Sequence, residues 1–268
     1  PIPVEAGSDH LIDPESIIKA ITPRTKAIIP TQLNGRVADM DAILNIAKEY
    51  GLQIYEDSAQ ALGAKYKGQC AGSFGLGGCI SFYPAKTLGC FGDGGIVLTN
   101  DDNIYNTIKL MRDHGRGEDG NISIWGFNSR LDNLQAAILN YFFQNYDKTV
   151  ERRRYIANLY HENLKDLSGV ILPPSPDSND DYFDIYQNYE IEAKRRDELK
   201  EYLSSKGIGT IIQWGGKAVH EFRDLGFSQS LPFTEKIMRS SLMLPLNMTV
   251  KDGEVKYICD CIRSFYNY

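Results

Sequence analysis

The chain has 268 residues, 42% of them hydrophobic and 24% charged, and a formal net charge of −6. That size suits one large or two modest domains around a sizeable core, and the composition is that of a folded globular protein. The acidic balance argues against nucleic acid as a main partner. No run of about 18 apolar residues predicts a membrane span, and Pro1-Ile2-Pro3-Val4 does not read as a signal peptide. Cys70, Cys79, Cys90, Cys259 and Cys261 fit neither a disulfide framework nor a zinc site. Reduced thiols in a cytoplasmic, metal-free protein are therefore expected.

In chain order, Asp13-Pro14-Glu15 predicts a helix start, with the helix ending near Ile21. Thr25 to Gln32 reads as a buried strand. Asp39 to Tyr50 has helical periodicity, and Gly51 is a good stop. Leu52–Glu56, Cys79–Tyr83 and Gly95–Thr99 read as strands, and Asp101 starts a helix that ends near His114. Strands alternating with helices predict an α/β layer with a mostly parallel sheet. Gly115 to Gly126 is a Gly-rich loop. Leu131 to Leu167 contains no Pro or Gly and predicts one long helix bridging two domains, with Arg152-Arg153-Arg154 on its solvated face. A loop follows at Pro173-Pro174-Ser175-Pro176-Asp177. From Tyr182 a small α+β domain is expected: strands in YQNYEIEA and TIIQW, and helices over Arg195–Lys206, Thr234–Ser240 and Val255–Phe265. The division predicted is 1–140 for the large domain and 141–268 for the small one.

Two stretches carry chemistry: Glu56-Asp57-Ser58-Ala59-Gln60, and Ser81-Phe82-Tyr83-Pro84-Ala85-Lys86 with the glycines that follow. Asp57 and Lys86 each follow an apolar strand, which puts both at the sheet edge where open α/β folds bind ligands. A carboxylate and an amine at one crevice suit a cofactor that binds lysine covalently and needs a protonated ring nitrogen. Asp57 could equally cap a helix starting at Ser58. Gly92, Gly94 and Gly95 precede a strand and do not open a helix, so a dinucleotide loop is not expected.

The ordered strings EDSAQALGAKYKG, SFYPAKTLG, CFGDGGIVLTND and WGFNSRLDNLQAAIL, with flanking pieces on both sides, resemble the DegT/DnrJ/EryC1/StrS family of nucleotide-sugar aminotransferases. The resemblance implies a pyridoxal 5'-phosphate (PLP) transferase of fold type I, with a mostly parallel large domain and a small C-terminal α+β domain. It implies that Lys86 is the Schiff-base lysine and proton shuttle. Asp57 pairs with the ring nitrogen, Gln60 lies against the ring, and Ser81 holds the phosphate. Asn128 reaches the cofactor of the neighbouring subunit in a homodimer. His220 falls where the family has a substrate-facing His, although Gln213-Trp214-Gly215-Gly216-Lys217 before it departs from the family pattern. The implied substrates are a nucleotide-linked keto-sugar and an amino-acid donor, L-glutamate, in amino-sugar and surface-polysaccharide biosynthesis.

The family also implies roughly a hundred residues before the position of Pro1, a block nearly the size of a small domain. That block carries a Gly-Thr turn for the phosphate and an aromatic for the ring, and without it weak PLP binding and an exposed sheet edge are expected. Two alternatives stay open: a non-catalytic homologue with a binding or regulatory role, and another PLP reaction on this fold. For a desulfuration, Cys90 is the candidate thiol.

Overall fold

The computed structural model describes residues 1–176 and 178–267; Asp177, in the loop expected after Pro173, lies outside them, as does Tyr268. The elements in the first part of the chain are α1 (Pro14–Ala20), β1 (Ala27–Ile28), α2 (Met40–Tyr50), β2 (Gln53–Asp57), β3 (Lys65–Tyr66), β4 (Gln69–Cys70), β5 (Gly77–Ser81), β6 (Gly95–Leu98) and α3 (Asp102–Met111). Then come α4 (Asn133–Phe143), α5 (Tyr146–Leu164), β7 (Val170–Ile171), β8 (Tyr182–Phe183), β9 (Tyr189–Ala193), α6 (Arg196–Ser205), α7 (Pro232–Ser240), β10 (Ser241–Leu244) and α8 (Asp252–Tyr266). Among the described residues no helix is long and apolar enough to cross a membrane.

The main sheet has the order β1-β2-β5-β6, and β1, β2 and β5 run parallel while β6 is antiparallel. This is the mostly parallel α/β layer that the sequence predicts. The helix signals act as expected. Asp13 accepts from Ser16 N ahead of α1, Asp39 accepts from Ala42 N ahead of α2, and Gly51 ends α2 in the left-handed conformation.

Several expectations fail for physical reasons. The strand foreseen over Thr25–Gln32 shrinks to Ala27–Ile28 plus a lone bridge from Thr31 to Asp57. Pro30 interrupts it, because proline has no N–H for the ladder. No helix begins at Ser58; Asp57 instead turns the chain by accepting from Ala59 N at 3.2 Å. The long bridging helix is two helices, broken between Phe143 and Tyr146, where Asn145 leaves helical geometry. The break lets Tyr146 plunge into the first core, where its hydroxyl donates to Leu62 O at 2.6 Å. TIIQW forms only the bridge from Ile211 to Met243, because Trp214 and Gly215 take left-handed backbones and turn the chain away. The strand β10 was not foreseen in the sequence.

Two buried clusters organise the chain. The first gathers Met40, Ile43, Ile54, Leu88, Tyr146 and Val150 with their neighbours. The second gathers Ile156, Tyr160, Ile191, Leu203, Leu242 and Ile262 with theirs. Helix α5 therefore serves both, its first turns facing one core and its later turns the other. The chain also returns once: β8 pairs with β3, and Ile185 is buried in the first cluster.

The arginine triplet of α5 is not a solvated face. Arg153 is 7% exposed and donates to the carbonyls of Tyr186 and Gln187. Arg152 holds Val250 O and Asp252, and Arg154 holds the carbonyls of Asp184 and Pro176. Helix carbonyls are self-satisfied, whereas loop carbonyls packed against a helix need outside donors. A run of arginines on the packed side supplies them.

His10 ties the N-terminal segment to β9, its Nδ1 3.1 Å from Glu190 Oε2 and its Nε2 3.5 Å from Glu192 Oε1. Burial works against its charge, but hydrogen bonds to Glu190 and Glu192 and their negative charges outweigh burial and raise its pKa from 6.5 to about 9. A raised histidine pKa stabilises the fold fully below pH 6.5, and the gain is lost as pH rises through about 9. The shift corresponds to about 3 kcal/mol at most. Urea unfolding at acid and alkaline pH should show wild type losing this increment relative to His10→Ala; parallel pH profiles for the two proteins would contradict it.

Candidate active site

The site grows from the ends of β2 and β5. Asp57 closes β2 and sits opposite Cys79 of β5. Ser81 lies two residues beyond Cys79, so it projects from the same face of the sheet. Beyond Ser81 the chain makes a tight turn, with Lys86 N donating to Tyr83 O at 2.9 Å. A side chain at Gly89 would strike Tyr83 O at 2.7 Å and Pro84 O at 2.8 Å, so only glycine lets the loop close so tightly. Leu88 and Cys90 are buried beneath it. Thr87 Oγ1 meets the Tyr146 hydroxyl at 2.9 Å.

The electrostatics link the two charged residues. Burial pushes the Lys86 amine below its ordinary pKa, and the charge of Asp57 acts against that shift. The two are thus within electrostatic reach of one another. A partly desolvated amine is a better nucleophile and base than an exposed one, because more of it is neutral at a given pH. The Asp57 carboxylate uses Oδ1 for Ala59 N. Its other oxygen accepts no hydrogen bond among the described residues.

Gln60 is drawn to the same place. Its Oε1 accepts from Asn34 N at 2.9 Å and from Asn188 Nδ2 at 3.3 Å. That fixes the amide plane and leaves its NH2 to donate elsewhere. Ser81 Oγ accepts from Tyr83 N at 3.2 Å, which leaves the hydroxyl hydrogen to donate. Asp57 and Ser81 thus end two strands of one sheet, and Gln60 and Lys86 lie on the loops that leave those strands.

The remaining residues fall elsewhere. Asn128 is exposed, on a loop bridged to Asp113 and flanked by Trp125, 98% exposed, and Phe127, 65% exposed. His220 has no exposed surface, and its Nε2 lies 3.1 Å from Glu235 Oε1. Its ring braces the start of α7 and does not present itself to a substrate in this arrangement. Cys90 is 1% exposed, and its thiol is 3.1 Å from Phe82 O and from Gly92 O. A buried thiol pinned between two carbonyls is a loop brace, so it is no candidate for desulfuration.

Glu56 lies in the stretch singled out by sequence, but its structural role there was not read from it. It is 2% exposed and accepts from Gln32, Ser58, Gly72 N and Phe74 N at 2.8, 3.3, 2.9 and 2.6 Å. Burial pushes its pKa up against these four bonds. A signal was present: Ile54 and Glu56 lie two apart on a strand and so share the inward face. Glu56 fastens the Gly72–Phe74 loop beneath the end of β2, where Asp57 projects. Glu56→Ala leaves buried donors unmatched and should cost about 3 kcal/mol or more in urea unfolding; a loss under about 1 kcal/mol would show the carboxylate to be dispensable.

Fold and site define a class: an α/β protein in which an amine and a carboxylate converge at the carboxyl ends of adjoining parallel strands. A model described as the DegT/DnrJ/EryC1/StrS aminotransferase family matches residues 1–263. The chain belongs to that family. It is 39% identical over 261 residues to a protein of Geobacillus stearothermophilus named pleiotropic regulatory protein, covering 96% of this chain and 70% of that one. It is 36% identical over 276 residues to the dTDP-3-amino-3,4,6-trideoxy-alpha-D-glucose transaminase of Streptomyces venezuelae, covering 99% of this chain and 70% of that one. The crystal structure of S. venezuelae DesV in complex with a ketimine intermediate superposes with a TM-score of 0.94 at 36% identity, over 100% of this chain and 72% of that one.

Proposed function

We propose that the protein is a PLP-dependent aminotransferase that moves an amino group from L-glutamate to a nucleotide-linked keto-sugar, in amino-sugar biosynthesis for surface polysaccharide. The observation that carries this reading is the Lys86 amine, partly desolvated and within reach of the Asp57 charge at neighbouring strand ends. The donor set suits PLP: an amine to bond its carbonyl carbon, a carboxylate with a free oxygen, an amide NH2 and a hydroxyl hydrogen. Likeness to the S. venezuelae transaminase supports the nucleotide-sugar substrate.

When bound, PLP supplies an electron sink for the pair released at the donor's α-carbon. Lys86 would anchor the cofactor covalently, and its amine is the base that would take up the proton leaving the donor's α-carbon. Asp57 keeps the ring nitrogen protonated, so that the sink stays deep. Gln60 holds the ring edge with its NH2, and Ser81 donates to the phosphate. Asn128 completes the neighbouring subunit's site in a homodimer, on the loop that also exposes Trp125 and Phe127. The working compartment is the cytoplasm, where five unpaired cysteines stay reduced.

The protein, loaded with PLP and given L-glutamate, should form 2-oxoglutarate catalytically only when a nucleotide-linked keto-sugar is added. A panel differing in nucleotide and in ketone position identifies the acceptor. No turnover with any member, despite bound PLP, would favour the non-catalytic alternative.

A further inference from the structure

The two peptide groups that bracket Lys86 are both held by one side chain from the far half of the chain. Gln187 Nε2 donates to Ala85 O at 2.9 Å, and Gln187 Oε1 accepts from Thr87 N at 2.9 Å. A primary amide paired this way acts like one rung of a neighbouring strand. It fixes the peptide planes on both sides of Lys86, and with them the direction in which its side chain leaves the backbone.

Gln187 is itself fixed. It is 7% exposed, and its carbonyl and that of Tyr186 accept from Arg153 Nη1 at 3.1 and 2.9 Å. Tyr186 takes a left-handed backbone, and its hydroxyl donates to Pro174 O at 2.7 Å. The segment docks on Gly35, where any side chain would strike Gln187 N at 2.7 Å and Tyr186 N at 2.8 Å. The next residue reaches the other loop of the site: Asn188 Nδ2 donates to Asn34 Oδ1 at 2.8 Å and to Gln60 Oε1 at 3.3 Å. Consecutive side chains thus grip the lysine loop and the Gln60 loop at once.

We propose that Gln187 is a positioning residue for Lys86, and that with Asn188 it couples the geometry of the reacting amine to the docking of the Arg153-anchored segment. The proposal rests on Lys86 being the cofactor lysine. Gln187 touches no reacting atom. Its contribution is preorganisation, and a misplacement of about 1 Å is enough to cost about a hundredfold in rate.

The test compares wild type with Gln187→Met, which keeps the length and loses both bonds, and Gln187→Glu, which keeps the acceptor for Thr87 N and loses the donor for Ala85 O. Four quantities are read: the rate at which added PLP becomes hydride-trappable on Lys86, the pH at which the absorption of Lys86-linked cofactor changes, kcat against KM, and urea stability. In Gln187→Met, trapping should slow about tenfold, the spectral transition should move in pH, and kcat should fall about a hundredfold with KM within about threefold. Gln187→Glu should lie between the two. If Gln187→Met does not fold, the same readouts on Gln187→Glu decide. A variant that loses only stability, with trapping, spectrum and kcat unchanged, would overturn the proposal. Wild type that traps no label on Lys86 would instead bring down the functional reading beneath it.

Discussion

Lys86→Ala should abolish transamination, with a loss of at least about 10⁴-fold, because in the proposed mechanism one residue both anchors the cofactor and carries the proton. The fold should survive. The lysine is half-buried, and its amine is not among the groups that close the loop. Those are the backbone bond from Lys86 N to Tyr83 O, the Gln187 amide and the Thr87–Tyr146 pair. Alanine keeps every one of them. Deleting the amine also removes a charge whose burial is unfavourable, so stability should change by less than about 1 kcal/mol. Circular dichroism and urea unfolding of the variant check the fold, and a 2-oxoglutarate assay checks the chemistry. Turnover within tenfold of wild type would end the assignment.

Asp57→Asn should lower kcat by about 10²–10³-fold while leaving the loop intact. Asparagine retains a carbonyl oxygen for the bond that Asp57 Oδ1 takes from Ala59 N, so the turn after β2 persists. Only the charge is lost. Two consequences separate this from general damage. In the proposed mechanism the ring nitrogen would lose the partner that keeps it protonated, so the electron sink would weaken. Lys86 loses the one charge that opposes its desolvation, so its amine should titrate lower still. The pH profile of cofactor attachment should therefore move to lower pH in Asp57→Asn. An unchanged profile with normal kcat would show that the two residues do not share a site.

Much of the scaffold was legible because local chemistry decides it. Asp13, Asp39 and Gly51 cap helices with groups within four residues of themselves. Asp57, at the end of an apolar strand, and Lys86, in the loop after one, were legible as polar residues at the sheet edge. The parts that were not legible depend on distant partners. Nothing near Gln187 in sequence says that its amide meets Ala85 and Thr87. Nothing in Arg152-Arg153-Arg154 says that these side chains serve carbonyls from Asp184 to Gln187 and at Val250. The break before Tyr146 needs no Gly or Pro, since burial of its ring in the first core sets the new helix axis. For β10, Ser241 and three apolar residues after a helix carry no periodicity that separates strand from helix. His220 shows the converse limit, since the family pattern places it near substrate and packing buries it against Glu235.

The central claim is that Lys86 holds the cofactor. Reduction of the PLP-loaded protein with borohydride, followed by peptide mapping, tests it most directly. The expected result is one stoichiometric pyridoxyl label on Lys86, absent from Lys86→Ala. A label on another lysine, or none at saturating PLP, would contradict it.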